Sequence, residues 1–219
     1  MKKIMFSKRY GLEQEVLLKY KNKTRRLIKG DFEDVKTYHG FYGWHFIADT
    51  KDGDSVEVIP AYQIGEVVAV AQSYKQCWDI YQKRWKLYND PSSWRTPDAI
   101  LGDSVQETAG WTNKMFVRAD LMPYGIRITD IKAERLQDIN DGDCLKEGIM
   151  EGEFMNTWDR YYYDSWGDVP NHITFPTPRQ AFAALIDKIS GKGTWNSNPW
   201  VFAYEFELLT LNDFKRNRI

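Results

Sequence analysis

The chain of 219 residues is long enough to bury a substantial hydrophobic core, as one large domain or as two small ones. Hydrophobic residues make up 42% and charged residues 28% of the sequence, which is the composition of an ordinary globular protein. The formal net charge of -1 excludes a global positive field for nucleic acid, so any such contact must come from a local basic patch.

Cysteine usage and hydropathy set the expected environment. Cys77 and Cys144 form neither a metal-ligand spacing nor a disulfide framework, so we expect reduced thiols in a cytoplasmic protein. The N-terminus lacks the apolar core of a signal peptide and no run approaches a membrane span, so no membrane partner is expected. The histidines His39, His45 and His172 are scattered, and we expect no metal and no cofactor.

The first part of the chain is patterned mainly as strands. The expected elements are a strand at 4–6, a helix at 12–19, a strand pair or a curved strand at 35–49, a turn at 52–53, a strand at 56–59 and an apolar strand at 67–71. The last of these is apolar throughout, which predicts burial on both faces.

The second part mixes helices and strands. Beyond a helix near Trp78, the clearest alternation predicts a half-buried strand at 126–136. Asn140 is the expected cap of a helix that runs through Glu147 and stops at Gly148. A second capped helix is predicted from Thr177 to Gly191, and a final strand at 200–209.

The most unusual stretch runs from Lys19 to Arg26, where cationic side chains surround the hydroxyl of Thr24. A lysine takes a proton from a hydroxyl only if burial or nearby positive charge lowers its pKa. Lys21 and Thr24 are three residues apart, so one helical turn would place them on the same face. A solvated surface is the alternative interpretation of such a cationic stretch.

The stretch Lys21–Arg26 resembles the Lys-x-x-Thr-x-Arg signature of the ASCH domain superfamily, a branch of the PUA-like folds. The resemblance continues in order through 64–70, 113–116, 127–131, 134–139, 147–149, 193–201 and 205–206. Two departures are Lys19, which replaces the usual glycine, and Ala71-Gln72, which replaces an Arg-Glu pair found in many relatives.

The resemblance implies one domain over 1–219, mainly β with helices (α+β), with insertions at about 74–109 and 151–176. Its expected architecture is a PUA-like β-barrel of mixed strands surrounded by helices, with a basic cleft. The leading functional expectation is binding of RNA or a modified nucleotide in that cleft. Cations would hold phosphates and aromatic rings would stack on bases. The candidates for these roles are Arg25, Arg26, Lys114, Trp111, Tyr162 and Trp200.

An alternative comes from one small bacterial branch, an amidohydrolase that removes the acetyl group from N4-acetylcytidine. The lysine, threonine and glutamate of that branch correspond to Lys21, Thr24 and Glu147 here. In this alternative Lys21 activates the Thr24 hydroxyl, and Glu147 orients the lysine or passes a proton to the leaving amine. A third alternative is a protein-interaction module without small-molecule chemistry.

Overall fold

A computed structural model describes residues 1–40, 43–88, 96–154, 157–163, 173–209 and 213–214. The chain divides into two compact units. The first unit comprises 1–6, 67–127 and 208–219, and the second comprises 7–66 and 128–207. That these units form the single domain expected from the sequence stays a prediction.

The first unit is built on strand β6 (Val67–Val70), the apolar strand predicted from the sequence. Strand β1 (Lys3–Ile4) runs parallel to β6, and the first residues of β7 (Gly125–Arg135) run antiparallel to it. Residues 68–70 are fully buried, which confirms the expected burial of this strand.

Helices of the first unit follow β6 along the chain. They are α2 (Tyr74–Tyr88) and α3 (Pro97–Leu101), and short 3-10 turns follow them. Their apolar side chains form one core with the end of the chain, in which Cys77, Met122 and Phe214 are completely buried. The segment at 74–109 is therefore helical where it is described and contributes to this core.

The second unit contains the cationic stretch of the sequence. Strand β2 (Lys23–Leu27) pairs antiparallel with β10 (Trp200–Leu208). The remaining strands are β3 (Phe32–Gly40), β4 (Gly43–Thr50), β5 (Ser55–Glu57), β8 (Met150–Phe154) and β9 (Thr157–Tyr162). Strands β3 and β4 pair along their length with one register irregularity between Phe32 and Asp34, so of the two expected forms of 35–49 the strand pair is the one observed.

The helices of the second unit are α1 (Leu12–Leu17), α4 (Asp141–Lys146), α5 (Pro178–Ser190) and α6 (Thr194–Ser197). The two predicted caps are confirmed. The Asn140 side chain accepts a hydrogen bond from the Asp143 backbone N–H at 2.8 Å, and Thr177 accepts from Gln180 at 3.2 Å. Such caps pair backbone donors that a helix start would otherwise leave without acceptors.

The expected β-barrel is wrong for the part of the chain that is described. The strands form three open sheets, in the orders β1-β6-β7-β10-β2, β3-β4-β5 and β8-β9, within a mixed α+β architecture. A closed barrel needs its edge strands to pair with each other, whereas β1 and β2 are opposite edges of the largest sheet. Sequence alternation identifies strands, but it does not say which strands meet across long separations.

None of the described helices has the length and apolar character that crossing a membrane would require.

Candidate functional site

Strand β2 separates two sets of side chains, because successive residues of a strand point to opposite faces. Lys23 and Arg25 lie on one face, called here the Arg25 face. Thr24 and Arg26 lie on the other, called the Thr24 face. Phe206 donates its backbone N–H to the Asn22 carbonyl at 2.9 Å, so the ladder extends past β2 and adds Asn22 to the Thr24 face.

The Arg25 face holds a buried network of ion pairs. The Arg25 side chain is only 1% exposed, and its guanidinium donates to Glu134 Oε1 from Nε at 2.9 Å and from Nη2 at 2.5 Å. The same guanidinium donates to Glu147 Oε1 at 3.0 Å and to Asp143 Oδ2 at 3.3 Å. Lys23 Nζ donates to the other Asp143 oxygen at 2.9 Å. The charges on this face are therefore paired in space.

Lys21 meets Glu147 at the end of this network. Its ammonium donates to Glu147 Oε2 at 2.6 Å, to the Glu147 carbonyl at 2.7 Å and to the Lys23 carbonyl at 2.7 Å. These bonds use all three N–H donors of the ammonium. Lys21 is 2% exposed, so the contact is shielded from bulk water.

Burial and neighbouring charges shift both members of the Lys21–Glu147 pair. Burial lowers the pKa of Lys21, and although Glu147 opposes this, the positive charges of Arg26 and Arg25 add to the lowering. Burial alone would raise the pKa of Glu147, but the attraction of Lys21 and Arg25 outweighs it and holds that pKa below its usual range. Two cations hold the carboxylate ionised, whereas burial disfavours the charged form of the lysine, so Lys21 is the member poised to release a proton.

The turn after α4 brings Glu147 to Lys21. The helix ends at Lys146, whose carbonyl accepts from the Asn22 backbone N–H at 3.0 Å, and Glu147 is the C-cap. Gly148 then adopts φ 97°, which L side chains rarely tolerate. A Cβ at Gly148 would lie 3.1 Å from Leu12 Cδ2 and 3.5 Å from Lys21 Cδ. Glycine therefore allows the turn and leaves space for the lysine chain.

Thr24 lies beside this pair but points to the other face. It is 5% exposed and lies opposite Tyr204 across the β2–β10 ladder. The Lys23 carbonyl that accepts from Lys21 is bonded directly to the Thr24 nitrogen, so the ammonium lies next to the Thr24 backbone. The helical turn expected for Lys21–Thr24 is wrong, because residues 23–27 form a strand. The Lys21 ammonium comes close to the Thr24 backbone instead because the lysine side chain extends forward along the chain to the Lys23 carbonyl.

The Thr24 face carries two tyrosines that sequence analysis missed as site candidates. Tyr204 is buried, its hydroxyl accepts from the Ala61 backbone N–H at 2.9 Å, and burial raises its pKa to about 12. The Tyr62 ring packs edge-on against Tyr204 with centroids 5.4 Å apart. Tyr62 lies two residues after Pro60 and before a turn, outside any periodic pattern, so an aromatic residue near a proline was its sequence signal.

The predicted ligand residues fall in different surroundings. Arg25 belongs to the buried network, and Arg26 is half-buried on the Thr24 face. Trp200 lies under the Arg135 guanidinium at 4.7 Å, and Tyr162 is half-buried in β9.

Two of the predicted ligand residues belong to the first unit. There Lys114 donates to the Phe6 carbonyl, and the Trp111 ring packs edge-on against Trp78 at 6.0 Å. The ligand roles of all six candidate residues stay predictions.

The described residues contain no group of three or more His, Cys, Asp or Glu side chains arranged to hold a metal ion. The chain matches no family model, and neither a curated protein nor a solved structure was found to be similar to it. The resemblance to the ASCH superfamily therefore stays a prediction, and the chemistry of the site follows from its own geometry.

Proposed function

We propose that this protein is an amidohydrolase that removes an acyl group from the exocyclic amine of a cytidine-type nucleoside. The observation that carries the proposal is the buried Lys21 ammonium, held against Glu147 and next to the backbone of Thr24. The substrate class comes from the amidohydrolase branch that the Lys21–Arg26 signature resembles.

The reaction begins with Lys21 in its neutral form, which the lowered pKa makes accessible. Neutral Lys21 takes the proton of the Thr24 hydroxyl, which requires the Thr24 side chain to rotate toward the amine, and the oxygen attacks the acyl carbonyl to give a tetrahedral intermediate. The carbon–nitrogen bond then breaks, and the Lys21 ammonium returns the proton to the departing amine. Water, deprotonated by Lys21, hydrolyses the acyl-threonine ester and regenerates the hydroxyl.

Glu147 has a different task from Lys21. Its carboxylate is ionised and accepts hydrogen bonds from both Lys21 and Arg25, so it fixes the lysine amine and stabilises the ammonium formed after proton transfer. Its backbone carbonyl holds the same amine. A glutamine at position 147 would keep the shape of this contact and lose the charge.

The test is incubation with N4-acetylcytidine and chromatographic detection of cytidine and acetate. We expect turnover by the wild-type protein and a loss of about 10²-fold or more in kcat for Thr24→Ala and Glu147→Gln. Thr37→Ala is the matched control, because Thr37 is an exposed strand threonine of the same unit. Full activity in folded Thr24→Ala would refute the nucleophile assignment, and inactive wild-type protein would refute the hydrolase proposal.

Binding of an RNA or modified nucleotide without hydrolysis is the second candidate. The observation that favours it is the presence of a cation near an aromatic ring. Arg26 and Tyr62 are both half-buried, and the charge of Arg26 acts on the Tyr62 hydroxyl. Equilibrium binding of the same nucleoside without product release would support this function over the hydrolase. Neither binding nor release would contradict both and leave the protein-interaction alternative.

A further inference from the structure

The two faces of β2 differ in their access to a ligand. On the Arg25 face the described ion pairs join Arg25 to three carboxylates, and the guanidinium lies 6.0 Å from the Phe182 ring of α5. The charged groups there are thus turned toward one another in the protein interior. A substrate that reaches the Thr24 hydroxyl approaches from the Thr24 face.

An aromatic ring stands beside Thr24 on that face. Side chains of residues paired across an antiparallel ladder have Cβ atoms roughly 4.5–5.5 Å apart, so Tyr204 adjoins Thr24. The Tyr62 ring is the next one outward, 5.4 Å from Tyr204, and is half-buried. The Tyr204 hydroxyl accepts from the preceding residue, Ala61, which fixes the backbone that presents Tyr62.

A second, independent observation points to a donor on the ligand. The Asn22 side-chain oxygen, on the same face, is buried without a hydrogen-bond partner among the described residues. Buried polar atoms without partners are rare and costly, and a ligand N–H would relieve that cost. The Asn22 side chain as a whole is half-buried, and its terminal torsion is broad, so the amide is able to turn toward such a donor.

We propose that the pyrimidine base of the substrate lies on the Thr24 face, with its ring against Tyr62 and its acylated N–H donating to the Asn22 side-chain oxygen. This inference rests on the proposed function, and it assigns the residues that select the substrate. Tyr62 recognises a flat heteroaromatic ring, and Asn22 distinguishes a secondary amide from one that lacks the N–H. Arg26 is half-buried on the same face, and its positive charge acts on both Lys21 and Tyr62.

The ring contact is tested by Michaelis kinetics on N4-acetylcytidine. We expect Tyr62→Leu to raise KM roughly 10- to 100-fold, the range expected for one lost stacking partner, while kcat changes less. Tyr62→Phe retains the ring and restores most of the affinity. Tyr20→Leu is the matched control, because Tyr20 is a 66% exposed tyrosine of the same unit. A wild-type KM in Tyr62→Leu would overturn the stacking assignment.

The amide contact is tested with N4-acetyl-N4-methylcytidine, which lacks the N–H. The wild-type protein should prefer the unmethylated substrate by about 10-fold in kcat/KM, and Asn22→Leu should lose that preference. A preference unchanged in Asn22→Leu would overturn the Asn22 assignment. Equilibrium binding of N4-acetylcytidine to the Thr24→Ala variant separates the base site from the hydrolase proposal. If Thr24→Ala/Tyr62→Leu binds more weakly than Thr24→Ala, the base site is supported even if the wild-type protein does not hydrolyse the nucleoside. Equal binding by the two variants overturns the base site.

Discussion

Replacing Arg25 with methionine tests whether the buried network is a structural requirement of the site. Methionine keeps an unbranched side chain but removes the cation that bridges Glu134 and Glu147. Lys132 still contacts Glu134 at 2.9 Å, and Lys21 still contacts Glu147 at 2.6 Å, so each carboxylate keeps one partner. Both carboxylates nevertheless lose a buried charge-assisted hydrogen bond.

The expected cost follows from the burial of these groups. Removing one partner of a buried ion pair typically lowers the free energy of unfolding by about 3–5 kcal/mol. For a chain of this length each kcal/mol lowers Tm by about 2–4 °C, so we expect a fall of roughly 6–20 °C. Thermal unfolding followed by circular dichroism, together with urea titration, measures the effect.

A surface ion pair supplies the matched control. Arg118 pairs with Asp120 at 2.7 Å, but its side chain is 70% exposed, so Arg118→Met should leave the free energy of unfolding nearly unchanged. If Arg25→Met were no more destabilising than Arg118→Met, the buried network would not stabilise the fold and the reasoning would be refuted. The double variant Arg25→Met/Glu134→Gln should be less destabilised than the sum of the single changes, because the two residues contact each other.

Two further predictions concern acid stability and the turn after α4. The pKa values of Glu147 and Asp143 lie below their reference values of 4.5 and 3.8, so their stabilisation is present above those values and is lost as pH falls through the folded pKa values. The urea concentration at the unfolding midpoint should therefore decrease as the pH is lowered below about 4.5, and it should decrease less in Glu147→Gln. An identical pH dependence in both proteins would contradict this. Gly148→Ala should destabilise more than Gly53→Ala in urea titrations, because both positions have positive φ but only position 148 adds a contact with Leu12. Equal losses would show that the close packing at 148 has no energetic effect.

Local features of the fold were predictable from the sequence because their determinants are local. The caps at Asn140 and Thr177 satisfy backbone donors three residues onward, and the stop at Gly148 depends on one residue's φ. The burial of the strand at 67–71 was predictable because all of its residues are apolar. Each of these depends on a few neighbouring residues.

The features that depend on contacts between residues distant in sequence were not predictable from local patterns. The barrel expectation failed because no local pattern states that β1 and β2 end as opposite edges of one sheet. The contact of Lys21 with Glu147 spans 126 positions, and only the family resemblance, not residue spacing, suggested it. The phosphate-binding role of Arg25 stays a prediction, but its contacts with carboxylates distant in sequence were not predicted, and Tyr62 had no pattern to mark it.

The two faces of β2 depend on each other through strand register. Side chains alternate with a period of two, so a shift of β2 by one residue would turn Arg25 outward and Thr24 toward the carboxylates. Such a shift would leave Glu134 and Glu147 buried without their arginine, at a cost of several kcal/mol. We therefore expect the ion pairs of the Arg25 face to select the register that places Thr24 on the opposite face. The same pairs place cations around Glu147 and keep it ionised, so the interactions that fix the strand also maintain the charge that holds Lys21.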